Sequence, residues 1–105
     1  MDRRVVVIDL DGTICDERKT FERSLAILKP GAREVINHLY DTDWRIIIFT
    51  ARGWAEYEMT LRWLNDNDVH FDELIMGKPI YDLWIDDKAM SARDWEDLLG
   101  SFPYE

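Results

Sequence analysis

Two runs of β-branched and aromatic residues, Val5-Val6-Val7-Ile8 and Ile46-Ile47-Ile48-Phe49, constrain this chain more than any other feature. Neither run alternates apolar with polar residues, as a strand with one wet face would. Both suit strands of a parallel sheet that is covered on its two faces. Between them, Pro30-Gly31 opens a stretch in which Val35, Ile36, Leu39 and Tyr40 recur at helical spacing, with proline tolerated in the first turn. Strand, loop, helix, strand is a βαβ unit, so the expected class is α/β.

The pattern continues past Phe49. Trp54, Tyr57, Leu61 and Leu64 share one face of a helix expected to end near Asn65-Asp66-Asn67-Asp68. Leu74-Ile75-Met76 and Leu83-Trp84-Ile85 read as a third and a fourth strand. Ser91 reads as the N-cap of a last helix that places Trp95, Leu98 and Leu99 on one face and stops at Gly100. Only Gly77–Tyr81 separates the last two strands, whereas a parallel crossover takes roughly a dozen residues or more. Either one of the two is not a full strand, or they are not adjacent and parallel. The architecture expected is a three-layer Rossmann-like sandwich with a small, mainly parallel sheet and no cap domain, formed as one domain over residues 1–105.

Composition narrows the function classes. No apolar run is long enough to span a bilayer and Met1-Asp2-Arg3-Arg4 does not open a signal peptide, so the expected location is cytoplasmic with no membrane partner. The lone Cys15 has no disulfide partner or zinc-type spacing and reads as a small filler. A net charge of −9 disfavours a nucleic-acid partner but is compatible with a small phosphorylated substrate held by a local cation.

The acidic residues carry the chemistry. Side chains at i and i+2 of a strand point the same way, so Asp9 and Asp11 converge at the carboxyl end of the first strand, where open α/β sheets bind ligands. Gly12 gives the backbone freedom for a sharp exit. Two carboxylates this close repel one another, and a cation is expected beside them. Asp86-Asp87 closes the fourth apolar run. Short carboxylates in a chain with two histidines suit Mg²⁺ rather than zinc or copper. Thr50 follows the second run, where its hydroxyl and the N–H groups of Ala51, Arg52 and Gly53 at a helix start could hold a phosphate. Lys78 lies between the third and fourth runs.

Taken singly, each of these residues has a plainer reading as a cap or a solvated loop side chain. Arg52 either contacts substrate or pairs with a nearby acid. Arg18, Lys19 and Arg23, in a mobile loop Cys15–Arg23 over the site, read as solvated charges ahead of substrate contacts. Met59 and Trp63 form a second stripe on their helix. It is either a subunit contact, in a homo-oligomer that covers the open site, or part of a helix buried on two sides.

In order, Asp9-Leu10-Asp11-Gly12-Thr13, Thr50, Lys78 and Asp86-Asp87 resemble the four motifs of the haloacid dehalogenase superfamily of phosphohydrolases. With "FTARG", "RWLNDND" and "MGKPIYDLWIDDKA", the chain is similar to small phosphatases of capsule or sugar biosynthesis, and more distantly to polynucleotide phosphatase domains. The resemblance implies Mg²⁺-dependent hydrolysis of a phosphomonoester, a sugar phosphate or nucleotide, through an aspartyl-phosphate. Asp9 would be the nucleophile and Asp11 the acid, then the base. Thr50, Ala51, Arg52 and Lys78 would hold the phosphoryl group. Asp9, Asp11 through its backbone carbonyl, Asp86 and Asp87 would carry the metal. A phosphatase acting on a polynucleotide end is one alternative. A receiver-like phosphoacceptor domain is another, but a receiver carries its acidic pair after the first strand and its phosphoacceptor after a later one, the reverse of this order.

Overall fold

A computed structural model describes residues 3–91 and 94–98. Strand β1 (Arg4–Ile8), helix α1 (Ala32–Asp41), strand β2 (Trp44–Phe49), helix α2 (Tyr57–Asp66), strand β3 (Glu73–Ile75) and the short helix α3 (Trp95–Leu98) follow one another. Single 3₁₀ segments lie at Thr20–Leu25 and Trp54–Glu56. The three strands form one parallel sheet in the order β1-β2-β3, with Ile8 opposite Ile48 and Phe49 opposite Ile75. It is an α/β fold of the Rossmann-like kind, with helices flanking a parallel sheet.

The expected βαβ unit forms for the reason its spacing suggests. Ala32, Val35, Ile36 and Leu39 of α1 are fully buried, and α1 packs on β2, whose Ile46 and Ile48 are equally buried. Each such branched side chain contributes about 1.5–3 kcal/mol relative to exposure. The Thr42 hydroxyl and N–H both reach back to the carbonyl oxygens of His38 and Leu39 and close the helix.

The helix after β2 departs from expectation at its start. Trp54–Glu56 is a 3₁₀ turn, and α2 begins at Tyr57. The tighter winding takes Trp54 off the buried face, and its indole stacks on Tyr57 with ring centroids 5.6 Å apart. Trp63 is buried, and its indole N–H donates to the Ala26 carbonyl at 2.9 Å. Within the Met59 and Trp63 stripe, Trp63 is thus covered by the chain itself, whereas Met59 is half-buried and borders an open groove.

Two further expectations fail together. Leu83-Trp84-Ile85 is not a strand, and every residue of 79–91 is exposed. Val5 and Val7 of β1 are also more than half exposed, so the run Val5–Ile8 is covered on one face only. The physical reason is the short connection. From the end of β3 at Ile75 the chain has seven residues, Met76–Asp82, before Leu83 in which to return to the start of the sheet, and parallel pairing needs a longer crossover.

At the far end, α3 starts at Trp95, directly after Asp94, so Ser91 is not its cap; Leu99 and Gly100 lie outside the described residues. The Trp95 indole N–H donates to the Thr13 carbonyl at 2.7 Å, which seats α3 against the loop that follows β1. Among the described residues no helix is long and apolar enough to cross a membrane.

Candidate active site

The chain leaves β1 in a compact turn. The N–H groups of Thr13, Ile14 and Cys15 converge on the Leu10 carbonyl at 3.1, 2.8 and 3.3 Å. Gly12 adopts φ 81°, and a Cβ there would meet Glu17 Oε1 at 3.1 Å, so both the turn and the space favour glycine. Leu10, Ile14 and Cys15 are buried beneath the turn. Asp9 and Asp11 alternate with Leu10 and keep side-chain exposures of 39% and 19%. The buried residues fix the backbone that aims the two carboxylates.

The second half of the site comes from an extension of the β2–β3 ladder. Thr50 N–H donates to the Ile75 carbonyl, Lys78 N–H to the Thr50 carbonyl and Gly77 N–H to the Arg52 carbonyl, each at 2.9 Å. The left-handed Gly77, at φ 78°, gives the bend between these bonds. Lys78 is thereby held beside Thr50, and its ammonium lies 2.9 Å from Asp9 Oδ1. The Lys78 side chain is nearly buried, with the Phe49 and Tyr81 rings 5.9 and 5.5 Å from its nitrogen. Leu10 N–H donates to the same Oδ1 at 2.9 Å. Among the described residues, the other Asp9 oxygen, Oδ2, has no such donor.

Arg52 pairs with a nearby acid, one of the two readings that its sequence left open. Its side chain is fully buried and grips Asp11 with two parallel bonds, Nε to Oδ2 at 2.9 Å and Nη2 to Oδ1 at 2.7 Å. Its third nitrogen donates to Thr60 Oγ1 on α2 at 2.9 Å. Burial alone would lower the Arg52 pKa, but the hydrogen bonds and charge of Asp11 outweigh it and the net shift is upward. The same surroundings act on Cys15. Burial first, then the neighbouring Asp11, push its thiol up to about 12.

Thr50 is almost wholly buried, and its hydroxyl oxygen accepts the Arg52 N–H at 3.1 Å. Residues 51–53 precede the 3₁₀ turn rather than an α-helix, so the expected helix start is displaced to Tyr57. Ala51 lies exposed in this turn. In the loop above, Arg23 is paired with Glu56 at 2.7 Å and Arg18 with Asp16 at 3.0 Å. The structure thus brings together Asp9, Asp11, Thr50, Arg52 and Lys78. Asp86 and Asp87 are exposed, in the segment that forms no strand. Lys88 N–H, at 2.8 Å, and the Trp84 indole hold the Asp86 carboxyl below the usual carboxylate range. Among the described residues no three acidic, histidine or cysteine side chains gather as a cation site. Thr60, which completes the Arg52 anchorage, carries no signal in the sequence, because a threonine inside a helix is ordinary.

The carboxylates sit at an open sheet end. A groove of about 580 Å³ between Ser24–Ala26 and Met59–Trp63 includes none of Asp9, Thr50 and Lys78.

Solved structures place this geometry among known folds. A Vibrio cholerae structural-genomics target superposes with a TM-score of 0.75 at 22% identity, over 96% of this chain and 90% of that one. The Pnkp1/Rnl/Hen1 RNA repair complex matches at 0.62 and 21% identity, over 94% of this chain and 32% of that one. D,D-heptose 1,7-bisphosphate phosphatase from B. bronchiseptica, crystallised with magnesium and phosphate, matches at 0.54 and 19% identity, over 86% of this chain and 55% of that one. The chain shares their fold. No family model matches the sequence, and no curated protein does.

Proposed function

We propose that this chain hydrolyses phosphomonoesters, with Asp9 as a nucleophile that is transiently phosphorylated. The observation that carries the reading is the asymmetry of Asp9. Lys78 Nζ and Leu10 N–H both hold Oδ1, which leaves Oδ2 at the open sheet end to attack. In the first step Oδ2 forms a bond to phosphorus, the bond to the leaving oxygen breaks, and that oxygen takes a proton from the Asp11 carboxylic acid. In the second, the Asp11 carboxylate takes a proton from water, whose oxygen attacks phosphorus while the Asp9–phosphorus bond breaks. Phosphate leaves and both aspartates return to their starting forms. Lys78 neutralises charge beside the phosphoryl oxygens, and Thr50 with Ala51 lines the turn that receives them.

The donor set fits Mg²⁺ in kind: carboxylate oxygens of Asp9, Asp86 and Asp87 and the backbone carbonyl of Asp11 are hard ligands. When bound there, Mg²⁺ supplies positive charge that offsets repulsion between Asp9 and an anionic substrate. Among the described residues, Asp86 and Asp87 are exposed and do not gather with Asp9 and Asp11 as a cation site. The heptose bisphosphate phosphatase and the RNA repair complex suggest two substrate classes, a sugar phosphate and a polynucleotide end. The net charge of −9 favours the first.

The test is phosphate release from p-nitrophenyl phosphate, a sugar phosphate and a phosphate-ended oligonucleotide, with Mg²⁺ or with EDTA. Turnover that needs Mg²⁺ and falls to background in Asp9→Asn is expected. Full activity in Asp9→Asn would overturn the nucleophile assignment.

A further inference from the structure

We infer that Arg52 is a positioning residue for Asp11 and does not bind the phosphoryl group. The inference rests on the hydrolase reading above and refines it. A guanidinium meant for substrate has to present donors to the opening, and this one is fully buried, with its three nitrogens engaged by Asp11 Oδ2, Asp11 Oδ1 and Thr60 Oγ1. The bidentate grip fixes the plane of the Asp11 carboxylate, and the bond to Thr60 ties that plane to α2. A carboxylate offers about four lone-pair sites, of which Arg52 occupies one on each oxygen. The Cys15 thiol lies 3.8 Å from Oδ1, a third and weaker contact from the buried side.

The remaining lone pairs belong to a side chain that is 19% exposed. That exposure leaves room for a leaving oxygen or a water to meet them. A proton donor misplaced by about 1 Å can lose 10²-fold in rate. The buried turn fixes the Asp11 backbone, but the rotation of its carboxylate plane is left to a side-chain anchor. Arg52 is that anchor, and Thr60 holds the anchor in turn.

This division of labour has a signature that neither substrate binding nor general stability shares. Proton donation matters most when the departing oxygen is a strong base. The experiment compares kcat/KM on p-nitrophenyl phosphate and on phenyl phosphate, two probes of similar shape whose leaving groups differ in basicity. Wild type, Arg52→Ala, Arg52→Lys and Thr60→Val are measured alongside Asp11→Asn. In Arg52→Ala the preference for p-nitrophenyl phosphate should grow by about 10²-fold, as in Asp11→Asn, with KM for that probe nearly unchanged.

Arg52→Lys keeps the charge but loses the fork, and should stay impaired on phenyl phosphate. Thr60→Val, close to isosteric, should shift the preference the same way by a smaller factor, and it carries the test if Arg52→Ala does not fold. Equal losses on both probes in folded variants, whether in KM or in kcat, overturn the inference. A wild type that turns over neither probe, or Asp9→Asn that turns over both, removes the hydrolase reading itself.

Discussion

The sheet end at Asp9–Gly12 and the segment 79–91 are built from the same materials, apolar residues running into paired acids, and they reach opposite states. At the first, Lys78 lies 2.9 Å from Asp9 and Arg52 lies 2.7 Å from Asp11, both cations being nearly or wholly buried. At the second, Asp86 is answered locally by the N–H of Lys88, two residues on, while Leu83 and Ile85 are exposed. Acidic pairs are ordered by what neighbouring strands deliver to them. Arg52 and Lys78 come from the ends of β2 and β3, whereas no element of the described chain brings a cation or a strand edge to Asp86.

The largest test of this contrast is Asp11→Ala, which leaves the Arg52 guanidinium buried without its counter-charge. A loss of about 3–5 kcal/mol in urea unfolding is expected, and a loss within error would show that the clamp is not holding the fold. The next concerns Cys15. Its thiol is held neutral, with a pKa of about 12 against an ordinary 9.0, so the folded state keeps a proton that the unfolded state gives up. The stability gained is complete below about pH 9 and erodes as pH rises from 9 towards 12. Native protein at pH 8 should resist iodoacetamide, and only unfolded protein should react quickly.

The smallest effect belongs to the second region: Asp86→Ala with Asp87→Ala should leave the urea midpoint unchanged without metal. Added Mg²⁺ would then separate two pictures. Slowed hydrogen exchange in residues 82–87 of the wild type, absent from the double variant, means that the segment joins the site. Unchanged exchange means that the difference between the regions is permanent.

Much of the fold was legible because its signals are local. Ala32–Asp41 follows from a helical period with Pro30-Gly31 at its mouth, and β1 and β2 from unbroken β-branched runs. Leu83-Trp84-Ile85 carried the same signal and formed no strand, because pairing depends on an edge within reach of the connection. At the site, strand periodicity leads one to expect Asp9 and Asp11 on the side opposite Leu10, and Leu10 is buried while both acids keep some exposure. The partner of Arg52 did not follow from periodicity, since it was decided by burial and by Thr60 on a different element.

The long reach of the ion pairs also bears on how the protein is made. Arg52 leaves the ribosome 41 residues after its partner Asp11, and Lys78 later still after Asp9. Until then the nascent chain carries two adjacent, uncompensated carboxylates on a strand with no neighbour. Closing such distant contacts is slow, and an unpaired apolar strand in the interval invites association with other chains. The two acids just past β1 thus leave the end of that strand charged until β2 and β3 arrive.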